Sequence, residues 1–331
     1  MFFLHDLRGP VRAVSAGALG AREVIIRLRR LFAVAMTTAL MWTPLATPIS
    51  ARDPGPGPRL TGARQKAKKA KSGHWSPPDV DAPLASLSSS VTCPADKVLE
   101  GAADRTTELA TNLQNFTAHE RIVYEEVDEF GNPRASQTGT YDYLVALEED
   151  RPGSLLVSET RNGRNSLDAS QGAVTDSGLP VMVLIFHPYY SGEYNLRCEG
   201  LGEWNEHPAW VIHFEQRPDK PSHIHVFRTK DGRFPAKLRG RAWIAADTFQ
   251  ILHLETNLLQ AIPMIHMRSE AISIDYAPVQ FHTRQVILWL PQAAEVFSDF
   301  ETQRYHVRHT FSDFLLFSVD INQKIEAPHP P

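Results

Sequence analysis

A long series of short apolar runs, spanning residues 240–320, constrains the fold of this chain more than any other feature. The runs 241–245 and 249–256 contain Trp, Ile, Leu and Phe, and a short polar break around Asp247 separates them. Residues 272–276 then alternate between apolar and polar side chains, so that one set would face a core and the other would face solvent. Successive runs bounded by turn residues are typical of antiparallel strands, and we interpret this stretch as a β-meander that closes up on itself.

The residues before this stretch predict a helix followed by further strands. Cys93-Pro94-Ala95-Asp96 opens the helix, because proline suits a first turn and an acidic residue suits the positive end of the helix dipole. The strongly apolar segment Leu179–Phe186 predicts a short buried helix inserted among the strands. The fold class that follows is mainly β (α+β): an N-terminal helix and then a large, curved antiparallel sheet, or half-open β-barrel, of ten or eleven strands.

The N-terminal region has the composition of an export signal. Four arginines between residues 22 and 30 precede an apolar run of about a dozen residues, which leads into small residues up to Ala51. This order is typical of a secretory signal peptide, and the apolar run is short for a membrane span of ~20 residues. We therefore predict that residues 1–51 are a signal peptide or, alternatively, an uncleaved anchor. The mature protein would then be periplasmic or secreted in a bacterial envelope.

Composition and charge divide the rest of the chain into a basic linker, an acidic folded domain and a short tail. Residues 52–92 are rich in Pro, Gly, Ser and Lys and predict a disordered linker, followed by a β domain over residues 93–322 and a flexible tail over 323–331. Residues 1–92 carry 13 Lys+Arg and 5 Asp+Glu, about +8, which leaves 21 and 33, about −12, for the remainder. The acidic folded part opposes binding to nucleic acid, whereas the basic linker could make a peripheral contact with the envelope.

Three short patterns carry a resemblance to a known family. They are Leu109-x3-Leu113-x2-Phe116-Thr-Ala-x-Glu120, Ala242-Trp243-Ile-Ala-x-Asp247-Thr-Phe and Phe311-Ser-Asp-Phe-Leu-Leu-Phe-Ser. With the order of elements across residues 95–322, they resemble the LolA-like lipoprotein-carrier half-barrels of the bacterial envelope, in particular exported proteins described as outer-membrane lipoprotein-sorting proteins. The resemblance implies a concave apolar face that holds acyl chains. It therefore implies an apolar or acylated ligand and a lipoprotein as a partner, and it assigns no individual binding residue.

The two cysteines, Cys93 and Cys198, take their meaning from the compartment. An exported chain enters an oxidising environment, in which two thiols can pair. The export prediction therefore implies a disulfide that joins the start of the helix to a strand in the middle of the sheet.

Three histidines form the strongest candidate for a metal site. His223 and His225 would lie on one face of a strand over residues 222–228, because the side-chain period of a strand is two. His213, on the preceding strand, would share that face if the two strands pair. Three imidazoles from adjacent strands can hold zinc with one position open for an activated water. The alternative is a solvated polar face with no metal.

The apolar segment Leu179–Phe186 is the candidate ligand site. We expect it to lie across the concavity of the sheet, with an apolar cavity of a few hundred cubic ångströms beside it. The lining residues would be Met182, Ile185, Phe186, Tyr189 and Tyr190. A segment that fits the concavity completely would instead leave a dry, packed core.

These features predict a non-enzymatic protein that requires no cofactor. Its function would be to hold a lipid-like or other apolar ligand, or a lipidated partner, on a concave sheet. Two alternatives stay open: a structural or interaction module of the envelope without a ligand, and a metal-dependent hydrolase that uses the three histidines.

Overall fold

The computed structural model describes residues 76–84, 87–88, 91–113, 115–151, 154–163, 178–229, 232–282 and 284–317. The predicted signal peptide and tail, and most of the predicted linker, lie outside this part of the chain. No helix within these ranges is long and apolar enough to cross a membrane.

The described residues form one α-helix, twelve β-strands and three short 3₁₀ helices. The helix α1 covers Ala95–Asn112, and the 3₁₀ helices cover Leu179–Phe186, Ser191–Glu193 and Pro263–Ile265. The strands are, in chain order, β1 (Asn115–Val127), β2 (Pro133–Arg151), β3 (Ser154–Gly163), β4 (Tyr194–Trp204), β5 (His207–Gln216), β6 (Val226–Thr229), β7 (Gly232–Pro235), β8 (Leu238–Ala245), β9 (Ile251–Leu258), β10 (Met267–Phe281), β11 (Val286–Phe300) and β12 (Gln303–Leu316).

Ten strands form one antiparallel sheet in the order β3-β2-β1-β12-β11-β10-β9-β8-β5-β4, while β6 and β7 pair separately. The predicted meander is confirmed, because β8 to β12 are neighbours in chain order. The sheet is curved and open, with β3 and β4 at its two edges, so the predicted half-open barrel is confirmed. The meander itself does not close up as expected, because β12 pairs with β1 and β8 pairs with β5.

One face of the sheet, the inner face, carries the main hydrophobic core. Ile272 and Ile274 of β10 are 0% exposed and belong to this core, whereas Ser273 between them points outward, as the alternation predicted. Helix α1 covers the inner face and buries Val98 and Leu109 within the same core. The outer face is the opposite side of the sheet.

The 3₁₀ helix Leu179–Phe186, called the plug below, is buried along its whole length. It packs against α1 and β11, and the ring of Phe186 meets that of Phe214 on β5 edge to face, with centroids 6.1 Å apart. The predicted short buried helix is therefore present. It is a 3₁₀ helix, and its β-branched residues at alternate positions lower α-helical propensity.

Part of the predicted linker belongs to the folded unit. Its residues 76–84 and 87–88, called the strap below, lie on the outer face, and Val80 is 0% exposed. The backbone N–H of Val80 donates to Asn257 Oδ1 of β9 at 3.1 Å, and Arg241 of β8 donates to a strap carbonyl at 2.7 Å. These long-range contacts order the strap, although its own composition would not.

Under the strap lies an aromatic cluster on the outer face. Leu84 and Leu87 pack against a group that includes Trp204 and Trp243. His253 of β9 stacks on Trp204, with ring centroids 3.6 Å apart, and its Nδ1 lies 2.8 Å from a carboxylate oxygen of Asp275. The outer face thus has a small second core, which the strap covers.

The predicted disulfide joins Cys93 to Cys198, with Cα atoms 6.4 Å apart. It connects the residue two positions before α1 to β4. The expectation of a strand in the middle of the sheet was wrong, because β4 pairs only with β5 among the strands and forms an edge. The bridge therefore fixes α1 to an edge strand.

Candidate ligand-binding site

The residues predicted to line a ligand cavity are packed into the inner core. Met182, Ile185 and Phe186 are at most 1% exposed, and Tyr190 is 6% exposed. Tyr189 is 43% exposed and lies outside this packing. The plug thus fills space that an apolar ligand would use, and a role for these residues in ligand contact stays a prediction for a state in which the plug has moved.

The edge strand β3 holds both ends of the plug. At the start, the backbone N–H of Gly178 donates to Glu159 Oε1 at 2.6 Å. Beyond the end, the hydroxyl of Tyr190 donates to the carbonyl of Leu155 at 2.9 Å and accepts from its N–H at 3.0 Å. A Cβ at Gly178 would lie 2.6 Å from the carbonyl oxygen of Ile224, so only glycine fits between these neighbours. These contacts fix the plug to one strand.

Five polar side chains, called the polar cluster below, meet on the inner face where the plug begins: Glu120 of β1, Tyr143 of β2, Glu159 and Arg161 of β3 and His309 of β12. Arg161 donates from Nε and Nη2 to the two carboxylate oxygens of Glu120 at 2.6 and 3.1 Å. His309 Nδ1 lies 2.8 Å from Glu120, and the Tyr143 hydroxyl donates to Glu159 at 2.8 Å. Every one of these groups thus has a partner of opposite or complementary character.

Electrostatics keep Glu120 ionised although its side chain is fully buried. Burial by itself raises the pKa of this carboxyl, but the hydrogen bond with His309 and the charge of Arg161 bring the pKa below its usual value. Burial and the neighbouring charge of Glu159 raise the pKa of Tyr143, so its hydroxyl remains a proton donor. The cluster therefore combines one ionised carboxylate, that of Glu120, with the firm donors Arg161 and Tyr143.

A shallow cleft with a cavity volume of about 20 Å³ lies between α1 and the inner face. Its apolar lining includes Leu109 of α1, Val183 of the plug and Ile251 of β9. The hydroxyl of Tyr276, also in the lining, is buried and has no hydrogen-bond partner within the described residues. None of the five predicted ligand contacts lines this cleft, which reaches the plug through Val183.

The three candidate metal-binding histidines are not brought together. The predicted strand 222–228 is the shorter β6, which pairs with β7, and the neighbours of β5 are β4 and β8. Each histidine instead meets its own carboxylate: His213 with Asp81 at 3.4 Å, His223 with Glu193 at 2.7 Å and His225 with Glu270 at 2.6 Å. Among the residues that the structure describes, no group of three or more His, Cys, Asp or Glu side chains is arranged to hold a metal.

Sequence reasoning missed the polar cluster. The sequence did contain an indication of it. Glu120 lies an even number of positions from the buried Phe116, Ala118 and Ile122 of β1, so its side chain faces the same side of the strand. A charge at an inward position of a strand predicts a buried partner. The partner, Arg161, lies on another strand 41 residues away, which the spacing alone does not identify.

No known protein-family model matches the chain, and no curated protein matches it. Solved structures do, including a domain described as a putative outer membrane lipoprotein-sorting protein from Vibrio parahaemolyticus (12% identity, 67% of this chain and 92% of that chain, TM-score 0.36). A DUF1329 family protein from Desulfovibrio piger (10%, 70% and 95%, 0.36) and a LolA superfamily protein from Nitrosomonas europaea (12%, 69% and 96%, 0.35) are also similar. The Nitrosomonas europaea protein is described as a member of the superfamily that the sequence resembles. At these TM-scores they carry no argument about the ligand.

Proposed function

We propose that this protein is an exported, non-enzymatic binding protein of the bacterial envelope, which holds an apolar or acylated ligand against the inner face of its half-open sheet. The observation that carries the proposal is the plug, eight consecutive uncharged residues that lie outside the strand pairing and are buried against that face. An apolar ligand chain offers the sheet the same kind of contact as the plug side chains. The partner would be a lipid-like molecule or a lipoprotein.

The plug must stay covered when a ligand binds. Exposing a fully buried Val, Leu, Ile, Phe or Met side chain costs about 1.5–3 kcal/mol, whereas burying one ligand methylene gains only about 0.8 kcal/mol. The seven plug side chains of these types would together cost about 10–20 kcal/mol, so a ligand chain of fewer than about a dozen methylenes that expelled the whole plug into water would lose more than it gained. We infer that the ligand inserts between the plug and the sheet, with the plug displaced outward as a lid.

A ligand that displaces the plug must compensate for the hydrogen bonds that the plug ends make with β3. Gly178 and Tyr190 together make three hydrogen bonds to β3, each with a net contribution of about 0.5–1.5 kcal/mol. A chain of several methylenes can offset that loss. The cleft beside Val183, with a cavity volume of about 20 Å³, would have to widen for such a chain to reach the plug.

The same proposal covers the parts of the chain outside the described residues. Residues 1–51 would direct export, residues 52–75 would form a linker whose lysines touch the envelope, and residues 323–331 would be a tail. The protein would then act in the periplasm or outside the cell.

A second candidate function, a structural or interaction module with a filled core and no ligand, is favoured by the complete burial of the plug. In this case the plug stays in place, and the inner face is a dry core.

Binding of a fluorescent fatty-acyl probe tests the first proposal against the second. We expect the wild type to bind the probe and Phe186→Ala to bind with altered affinity, because Phe186 packs between the plug and β5. Phe130→Ala is the matched control, since Phe130 is an exposed aromatic residue between β1 and β2, outside the predicted ligand contacts. Native mass spectrometry of gently purified protein should show bound acyl species.

The outcomes separate the candidates. A wild type that binds no probe and purifies without an apolar species supports the structural module and rejects the carrier. Equal binding by the wild type and Phe186→Ala places the ligand elsewhere on the sheet.

A further inference from the structure

We propose that the ligand carries a neutral hydrogen-bond acceptor, the carbonyl oxygen of an ester or an amide, at the head of its apolar chain, and that the hydroxyl of Tyr276 donates to this oxygen. The inference rests on the proposed function, because it identifies the polar group that would stop at the cleft under α1 while the chain extends between the plug and the sheet.

Tyr276 lies on the inner face, at the cleft between α1 and the sheet. Its side chain follows Ile272 and Ile274 in the alternation of β10, belongs to the main core and is 5% exposed. It shares the lining of the cleft with Leu109 of α1 and Val183 of the plug. Tyr276 therefore stands beside the route by which a chain entering the cleft would reach the plug.

The hydroxyl of Tyr276 is buried and has no hydrogen-bond partner in the part of the chain that the structure describes. Burying a hydroxyl in this way costs stability that a phenylalanine at the same position would not cost. The hydroxyl of Tyr194 is in the same condition, so an unpartnered hydroxyl does not by itself mark a site. Tyr276 differs because it also lines a cleft, where a polar group among apolar side chains can orient a ligand.

The surroundings of this hydroxyl select a neutral partner. Burial and the negative charge of Asp275 both raise the pKa of Tyr276, so the group remains a donor at neutral pH. The conditions that oppose a phenolate here also oppose a ligand carboxylate or phosphate, whose charge would be buried near Asp275. A carbonyl oxygen accepts the same hydrogen bond without that cost.

Arg105, which also lines the cleft, does not offer a free cation to an anionic ligand. Its Nη1 donates to Glu108 at 2.8 Å, and its Nε donates to the carbonyl of Thr248 at 3.0 Å. The Arg105 side chain is 41% exposed, so an anion bound there would compete with Glu108 in a solvated position. Such an anion would leave the buried hydroxyl of Tyr276 without a partner.

The cleft fits the head of a ligand and not its chain. A cavity volume of about 20 Å³ has room for about one group of the size of a water molecule, such as a carbonyl oxygen. The chain needs further space, which displacement of the plug would supply, because Val183 of the plug forms part of the same lining.

Four probes with the same ten-carbon chain test the proposal. Methyl decanoate and N-methyldecanamide carry a neutral carbonyl, decanoate carries an anionic acceptor, and decyltrimethylammonium carries no acceptor. Each competes with the fluorescent acyl probe on the folded full-length protein, at neutral pH and below its solubility and micelle limits. Comparing each probe with itself across protein variants removes the differences in solubility among the probes.

Tyr276→Phe removes the hydroxyl and keeps the ring. We expect the affinities of the ester and the amide to fall about twofold to tenfold, the effect of one hydrogen bond, and that of decyltrimethylammonium to stay unchanged. The larger of the two losses identifies an ester or an amide as the better partner. The urea midpoint should not fall, because the variant removes an unpartnered hydroxyl from the core.

Tyr194→Phe is the matched control. It makes the same chemical change at a hydroxyl that is also unpartnered within the described residues, in a side chain that is also 5% exposed, and Tyr194 does not line the cleft. We expect it to change no probe affinity. An equal loss of ester affinity in both variants would mean that the loss comes from the core in general, and would overturn the inference.

Two further outcomes overturn the inference and leave the proposed function standing. Unchanged ester and amide affinities in Tyr276→Phe would show that the hydroxyl contacts water only, and a larger loss for decanoate than for the ester would show an anionic ligand. Failure of every chain to bind the wild type overturns the proposed function as well.

The wild type alone decides the matter if Tyr276→Phe does not fold. A hydrogen bond lowers the stretching frequency of a carbonyl, so the infrared band of bound, ¹³C-labelled methyl decanoate should lie below its position in dry hydrocarbon solvent. A bound ester whose band stays at the hydrocarbon position would contradict the inference.

Discussion

Cys93 and Cys198 form a disulfide that connects the segment just before α1 to the edge strand β4, with Cα atoms 6.4 Å apart. The strap approaches the same strand, because Ser88 makes a β-bridge with Leu201. One edge of the sheet is thus tied to the N-terminal part of the folded unit by a covalent bond and by a backbone pairing.

Removing the disulfide should lower the free energy of unfolding by about 4–5 kcal/mol in the chain-entropy model, because the bridged residues lie 105 positions apart. The double substitution Cys93→Ser with Cys198→Ser, measured by urea unfolding without reductant, checks this value. The wild type unfolded in the presence of dithiothreitol is the control. Identical midpoints for the oxidised and reduced protein would contradict the prediction.

The sequence predicts the sheet well where the determining pattern is local. Ile272 and Ile274 alternate with polar residues, and both are buried as that period requires. The pairing of Cys93 with Cys198 follows from the predicted export and from there being only two cysteines in the sequence. The plug was recognisable because eight apolar residues in a row lack the alternation of a half-exposed strand.

Features that depend on which strands meet were not predictable. Val80 is a single apolar residue among prolines and charges, and its burial comes from contacts with β9, 177 residues away in the case of Asn257. The three histidines seemed to share a face only because β5 was assumed to pair with the strand after it. In the sheet, β8 takes that place.

Replacing Glu120 should destabilise the protein strongly. Glu120→Ala leaves Arg161 and His309 in the inner core without their partner, and breaking a buried ion pair in this way typically costs about 3–5 kcal/mol. Urea unfolding at neutral pH measures the loss. Glu126→Ala, at a partly exposed position of the same strand, is the control and should change the unfolding free energy little.

The carboxyl of Glu120 also makes the free energy of unfolding depend on pH. Because the pKa of Glu120 is lower in the folded state than the ordinary 4.5, its contribution is present above about pH 4.5 and is lost as the pH falls through the folded-state pKa. Urea midpoints measured from pH 6 downward should decline in the wild type. Glu120→Gln should show a shallower decline, and equal slopes for the two proteins would rule out this role.

The pKa of His253 should be higher than that of an ordinary histidine. Burial by itself lowers the pKa of this imidazole, but its contacts with Asp275 and Glu255 outweigh burial and raise the pKa above 6.5. Its stabilising contribution is thus fully present below pH 6.5 and is lost as the pH rises through the folded-state pKa. NMR titration of the imidazole should show the raised value in the wild type and a lower value in Asp275→Asn.

Export predicts a defined mature N-terminus. If the basic, apolar and small-residue order of residues 1–51 is a signal peptide, cleavage near Ala51 should leave a protein outside the cytoplasm. N-terminal sequencing of the protein from the envelope fraction tests this. Recovery of chains that begin at Met1 in the cytosol would refute it.

The strap should be essential for stability, although it falls within the predicted linker. A chain that begins at Ser76 should unfold at the same urea concentration as the longer mature form, because it keeps every contact of the strap. A chain that begins at Val91 keeps the disulfide but loses the burial of Val80, which alone contributes about 1.5–3 kcal/mol. It also removes Leu84 and Leu87 from the cluster that contains Trp243, so its tryptophan emission should shift to longer wavelength. Equal unfolding midpoints and equal emission for the two chains would show that the strap is dispensable.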